Sequence, residues 1–295
     1  MDLAVHLRNP SQAQALNDLP GHLSILYGEK AFKELDGSTR VDQRSLRLYI
    51  GDEFCIHRLP SIDELDTICQ WAKRENRGLT FLTPPLTDEG MDRCCPLFDF
   101  LNERGLRTEV VVNDWGVLFF LKETYPLFQL SVGRLLNKGF KDPRLMNPDE
   151  TSEFSAETAA LFNTCTFDSI EFPAKMQELD VTRLERDLLP FAEPEIKRRG
   201  GLETSVYFPF GYITTGRVCW MKSFNTSTGR RFSISNGCRQ ACNQISLKLN
   251  HAKTDLQLFQ TGNTIFYLYA PSKLAALAKQ AKIQKLRLVY QGLIV

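Results

Sequence analysis

Apolar and polar positions alternate along this chain in two periods. Residues 46–51 (LRLYIG) read as a strand, and residues 63–74 follow as a helix behind Ser61, a fitting N-cap. In that helix Leu65, Ile68, Cys69 and Ala72 recur at helical spacing. Residues 79–83 give the next strand, and a helix over about 88–104 is stopped by Gly105. The unit then repeats. Strands are predicted over 108–113, 127–132, 169–173 and 205–210, with helices over 114–124, from 147–149 to about 162, and over 181–189. A strand over 264–269, a helix over 274–282 and a strand over 285–289 complete the pattern.

Strands alternating with helical stretches of about 10–15 residues imply parallel strands joined by crossover connections. Seven or eight such units favour a closed (β/α)8-like, TIM-type barrel over an open sheet. No Gly-x-Gly-x-x-Gly follows the first strand, as a dinucleotide-binding sheet would require. The 295 residues therefore read as one barrel domain. Residues 211–250 break the alternation. They are rich in Thr, Ser, Gly and Arg, carry three cysteines, and read as an irregular insertion of the functional kind.

Composition narrows the possible classes. A 43% hydrophobic content makes a folded chain, and 36 Lys+Arg against 35 Asp+Glu leave a net charge of +1. That balance removes a global electrostatic case for nucleic acid or acidic membrane, though not a local patch. No apolar run approaches the roughly 18 residues of a membrane span, and an acid at Asp2 with no apolar core behind it argues against a signal peptide. A cytoplasmic location is expected. In a reducing compartment the eight cysteines are buried thiols, catalytic thiols or metal ligands, rather than a disulfide framework.

Cys238 and Cys242 are spaced four apart, which puts both sulfurs on one face of a helical turn, and Cys219 precedes them in the same insertion. Cys55 follows the strand at 46–51, at the end of the barrel where active sites form. Four thiols then meet from two distant regions. Zinc sites favour paired Cys-x-x-Cys knuckles, which are missing, so scattered cysteines fit an iron–sulfur cluster better. Cys69 is expected in the core. Cys94 and Cys95, adjacent on a helix, face different sides, and Cys165 stands as a reserve ligand.

The segments VYFPFG at 206–211 and TGRVC at 215–219 resemble the signature of the collagenase-like peptidase family U32. The stretches VVNDWGVL at 111–118 and GRLLNK at 133–138 are similar to that family too, and YIGDEFCIHR at 49–58 resembles the early cysteine segment of its UbiV-like iron–sulfur members. The likeness runs from about residue 46 to 250. It implies a barrel and a 4Fe-4S cluster on Cys55, Cys219, Cys238 and Cys242. It further implies a role in oxygen-independent hydroxylation, of a quinone precursor as in ubiquinone biosynthesis or of an RNA base, with prephenate as the oxygen source. A hetero-complex with a second, UbiU-like barrel is the implied partnership. Three departures stand out: Thr214 replaces the first signature cysteine, Val218 is inserted before Cys219, and the gap from Cys219 to Cys238 is long.

Arg58, Arg217 and Arg239 flank three of the four cysteines and are candidates for holding a carboxylated substrate. Two other functions compete. A U32-type peptidase would need a thiolate with a histidine base, and His57 beside Cys55 is the sole near pair in sequence. An RNA-binding module would use the basic runs at 197–201 and 229–231, the second followed by Phe232.

Overall fold

A computed structural model describes residues 2–7, 24, 27, 46–104, 108–146, 155–190, 196, 200–224, 226–231 and 238–292. Gly105, residues 147–149, Lys197 to Arg199 and Phe232 lie outside these. Eight parallel strands close into a barrel in the order β1-β12-β7-β6-β5-β4-β3-β2. They are β1 (Asp2–Leu7), β2 (Arg47–Gly51), β3 (Leu79–Leu82), β4 (Glu109–Val112), β5 (Gln129–Val132), β6 (Val181–Arg186), β7 (Glu203–Phe208) and β12 (Arg287–Gln291). The α/β barrel expected from the alternation is the observed fold.

The helices α1 (Ile62–Arg74), α2 (Asp88–Glu103) and α3 (Trp115–Thr124) cover the outer face, followed by α4 (Ala156–Phe162) and α5 (Glu171–Glu178). Ser61 caps α1 in a reciprocal capping box with Glu64. That turns Leu65, Ile68, Cys69 and Ala72 onto the outward rows of the strands, such as Leu48, Ile50, Phe81 and Val110. Each fully buried Leu or Phe in this layer contributes roughly 1.5–3 kcal/mol. Cys69 and Cys94 are part of it, as expected, while the neighbouring Cys95 is half-buried.

The barrel interior is unusually polar. At its lower end Glu109 accepts hydrogen bonds from Thr80 (2.8 Å) and Arg287 (2.6 Å), with Arg183 at 3.3 Å. A middle layer holds Ala4, Tyr49, Leu82, Val111, Tyr207 and Val289. At the upper end Arg134, fully buried, donates to Glu53 (2.5 Å), Asp187 (2.8 Å) and Gln291 (3.2 Å) and lies over the Tyr207 ring. Gly51 closes β2 at φ +102°, where a Cβ would stand 2.3 Å from the Leu82 carbonyl oxygen, so only glycine fits.

Four sequence-based expectations need correction. Within residues 181–189 the structure has strand β6 (Val181–Arg186), not a helix, because Arg183 and Glu185 face the charged interior and make a strand look polar. Residues 169–173 lead into helix α5, where Pro173 occupies the first turn and needs no donor. Residues 2–7, read only for targeting, are barrel strand β1. The insertion expected at 211–250 is also partly regular, and the strand expected at 264–269 pairs with its strands in a second sheet rather than joining the barrel.

Between β7 and β12 the chain builds an antiparallel sheet in the order β8-β11-β10-β9, from β8 (Phe210–Thr215), β9 (Leu247–Leu249), β10 (Leu258–Thr261) and β11 (Thr264–Leu268). The helices α6 (Trp220–Phe224) and α7 (Pro271–Gln284) complete this connection. Phe210, Tyr212, Phe259, Phe266 and Leu268 pack on Phe54 and Leu135, which follow β2 and β5. The small sheet is thereby fixed over the C-terminal mouth of the barrel. Among the described residues no helix is long and apolar enough to cross a membrane.

Candidate metal centre at the barrel mouth

The β2 exit is shaped by one carboxylate. Asp52 accepts the backbone N–H groups of Phe54 and Cys55, both at 2.8 Å, and its other oxygen pairs with Arg58 at 3.0 Å. This local turn sets Cys55 at the head of a short 3-10 helix, Ile56–Arg58. Two long-range hydrogen bonds then bring the insertion to it. Gln240 donates its side-chain amide to the His57 carbonyl oxygen at 2.5 Å. Asn263, in the β10–β11 turn, donates to the carbonyl oxygens of Phe54 and Gly216, each at 2.7 Å.

The remaining cysteines sit around that junction. Cys219 immediately precedes α6, which packs against the short turn Ala241–Asn243 holding Cys242. Gly262, at φ +61° in the β10–β11 turn, lies against Cys242, at ordinary contact distance from its sulfur. Gln240 adopts a left-handed conformation at φ 51° and aims its N–H at the Cys238 sulfur, 3.4 Å away.

Cys242 is the hub of the group: its thiol is within electrostatic range of Cys55, Cys219 and Cys238. Cys219 and Cys238 also sense each other. Burial, reinforced by Asp52, pushes the Cys55 thiol up to about 12. Burial raises Cys242 and Cys219 as well, while the Arg58 guanidinium opposes the rise at Cys55 and Cys242. Without a further cation these three thiols stay protonated at neutral pH. Among the described residues no three His, Cys, Asp or Glu side chains are set to hold a single metal ion. A lone ion demands thiolates about 2.3 Å from one centre. Four thiols are the donor type that a 4Fe-4S cluster takes, so the chemistry of the set, though not a single-ion geometry, suits such a group.

The other candidates divide. Arg58 is buried in its ion pair with Asp52, so its guanidinium is taken up by that carboxylate rather than offered to a substrate. Arg217 and Arg239 are exposed beside Cys219 and Cys238. Cys165 is elsewhere: its thiol donates to Asp168 at 3.0 Å and accepts from Arg186 at 3.2 Å, which removes it as a reserve ligand. The His57 ring meets Arg93 at 3.4 Å rather than the Cys55 thiol. Arg231 is exposed, with its Nε 3.4 Å from the Thr226 carbonyl oxygen.

No family model, curated protein or solved structure matches the chain.

Sequence reasoning missed the residues that assemble this site. Asp52 was visible as an acid three residues before Cys55, a turn-forming spacing. Asn263 lies in the turn sequence TGNT and carried a hairpin signal, but its two long-range acceptors had none. The buried charges Glu53, Arg134, Lys141 and Asp187 were also missed, since their partners lie far apart in sequence.

Proposed function

We propose that Cys55, Cys219, Cys238 and Cys242 bind a 4Fe-4S cluster and that the chain serves an oxygen-independent hydroxylation, as the UbiV-like members of family U32 do. The observation that supports this reading is the pair of hydrogen bonds, Gln240 to the His57 carbonyl and Asn263 to the Phe54 carbonyl, that ties the segment of Cys238 and Cys242 to that of Cys55. The bound cluster would supply one-electron redox chemistry at the barrel mouth. The chain's own part is to hold four sulfurs in one region and direct the Gln240 N–H at Cys238. Exposed Arg217 and Arg239 suit a carboxylated small molecule, prephenate in the related proteins, and a UbiU-like barrel is the matching partner. A peptidase role is the weaker reading. Its nucleophile would be a thiol held protonated to about 12, with the nearby histidine turned to Arg93.

Anaerobic purification followed by iron and sulfide counting tests the proposal. The wild-type chain is expected to hold about four iron atoms, with the broad visible absorption of thiolate-bound clusters. Cys242→Ser is expected to lose most of that iron, and Cys94→Ser to keep it. Iron at background in the wild type, or iron equal in Cys242→Ser and wild type, overturns the assignment.

A further inference from the structure

A second feature of the mouth lies outside the cysteine group. The loop after β5 and the edge of β8 enclose a cleft of about 370 Å³, lined by Asn137, Lys138, Lys141, Asp142, Tyr212 and Thr214 among others. That volume is within the range of small-molecule sites. Asp142 is held by Arg144 at 2.8 and 3.0 Å, so the charge it offers a ligand is largely neutralised. Exposed Lys138 remains at the rim as a cation.

Lys141 is built into the wall differently from a surface lysine. Its side chain is only one-tenth exposed. Its ammonium lies 3.3 Å from the centroid of the Tyr212 ring and 3.6 Å from Asp187, which carries two other contacts. Arg134 takes the first Asp187 oxygen at 2.8 Å, and the Tyr212 N–H takes the second at 3.0 Å. The Lys141 amine thus shares a carboxylate that is already engaged, beside a buried guanidinium.

We propose that Lys141 is a carbonyl-capturing amine, which forms an imine with a small 2-oxo acid bound in this cleft and anchored at its carboxylate by Lys138. The Nζ lone pair attacks the carbonyl carbon and a C–N bond forms. The carbonyl oxygen gathers two protons, both originating on the amine, and departs as water. No oxidant or reductant is needed. Asp187, at 3.6 Å, is placed to pass a proton between nitrogen and oxygen.

Electrostatics supports the assignment. Burial lowers the Lys141 pKa from 10.5 to about 8; Arg134 lowers it further, while Asp187 and, more weakly, Cys165 oppose the fall. The other charged groups on the cleft wall are Lys138 and Asp142. At pH 8 roughly half of the Lys141 amine is neutral, against well under about one per cent for a solvated lysine.

The test is reductive trapping of the full-length protein with pyruvate and cyanoborohydride, read by peptide mass spectrometry. Labelling is expected at Lys141 at least about tenfold faster than at exposed Lys253, rising with pH through about 8. Lys138→Gln is expected to raise the pyruvate concentration for half-maximal labelling, with Lys141 still the labelled residue. Labelling spread evenly over surface lysines, or a Lys141 rate without a step near pH 8, overturns the proposal. Competition among lysines within the wild-type chain needs no variant to fold. Iron-free and iron-loaded preparations of the wild-type chain are expected to label alike, which keeps this site separate from the fate of the iron assignment.

Discussion

Glu185 turns the polar barrel interior into a measurable pH dependence. It is fully buried and accepts the Tyr49 hydroxyl at 2.9 Å on one oxygen. Burial first, and the Glu109 carboxylate second, raise its pKa from 4.5 to about 7, against the pull of Arg183 and Arg287. A carboxyl whose folded pKa is raised keeps its proton in the native state and loses it on unfolding. Its contribution is therefore fully present below about pH 4.5 and is lost as pH climbs to about 7. At about 1.36 kcal/mol per pKa unit, the penalty reaches roughly 3 kcal/mol at pH 8. Glu185→Gln keeps the shape and an acceptor for Tyr49 but cannot ionise. Urea unfolding of both proteins at pH 5, 6, 7 and 8 isolates the effect, because titrations that do not interact with Glu185 cancel in the difference. The variant should gain about 2.5 kcal/mol on the wild type between pH 5 and 8, whatever constant offset the amide introduces. A difference that stays flat across that range refutes the reasoning.

Two further outcomes follow from named contacts. Arg134→Met leaves Glu53 buried without its cation and Asp187 with Lys141 alone, and should cost about 3–5 kcal/mol in denaturant unfolding at pH 7; a loss under about 1 kcal/mol would show that the two acids are satisfied without it. Asn263→Ala removes both hydrogen bonds that tie the β10–β11 turn to Phe54 and Gly216. It should cost about 1–3 kcal/mol and speed amide exchange in that turn, and unchanged exchange protection would contradict the tethering role.

The barrel was legible because its outward rows follow the ordinary rule. Leu48 and Ile50, or Val110 and Val112, face helices and read as strands at sight. Strand β6 was not legible, since its inward row is Arg183, Glu185 and then Asp187, charges that mimic an exposed helix until a polar interior is known. The four cysteines could be named from spacing and from the position of Cys55 after its strand. What gathers them could not. The Gln240–His57 and Asn263–Phe54 hydrogen bonds span 183 and 209 residues, and no local pattern encodes partners at that distance. Lys141 escaped notice for a related reason, because a lysine becomes unusual only through the Asp187 and Tyr212 that the fold sets beside it.

The pairing of β1 with β12, which places Asp2 opposite Arg287, also orders events during synthesis. Until residues 287–291 leave the ribosome, β1 and β7 each present a row of unsatisfied backbone groups, the kind of edge that recruits other chains. All eight thiols have been translated by then, yet the cylinder they are to sit on is still open. Contacts of such sequence separation form slowly. The nascent polypeptide therefore spends its most vulnerable interval with every sulfur already made and the ring not yet closed.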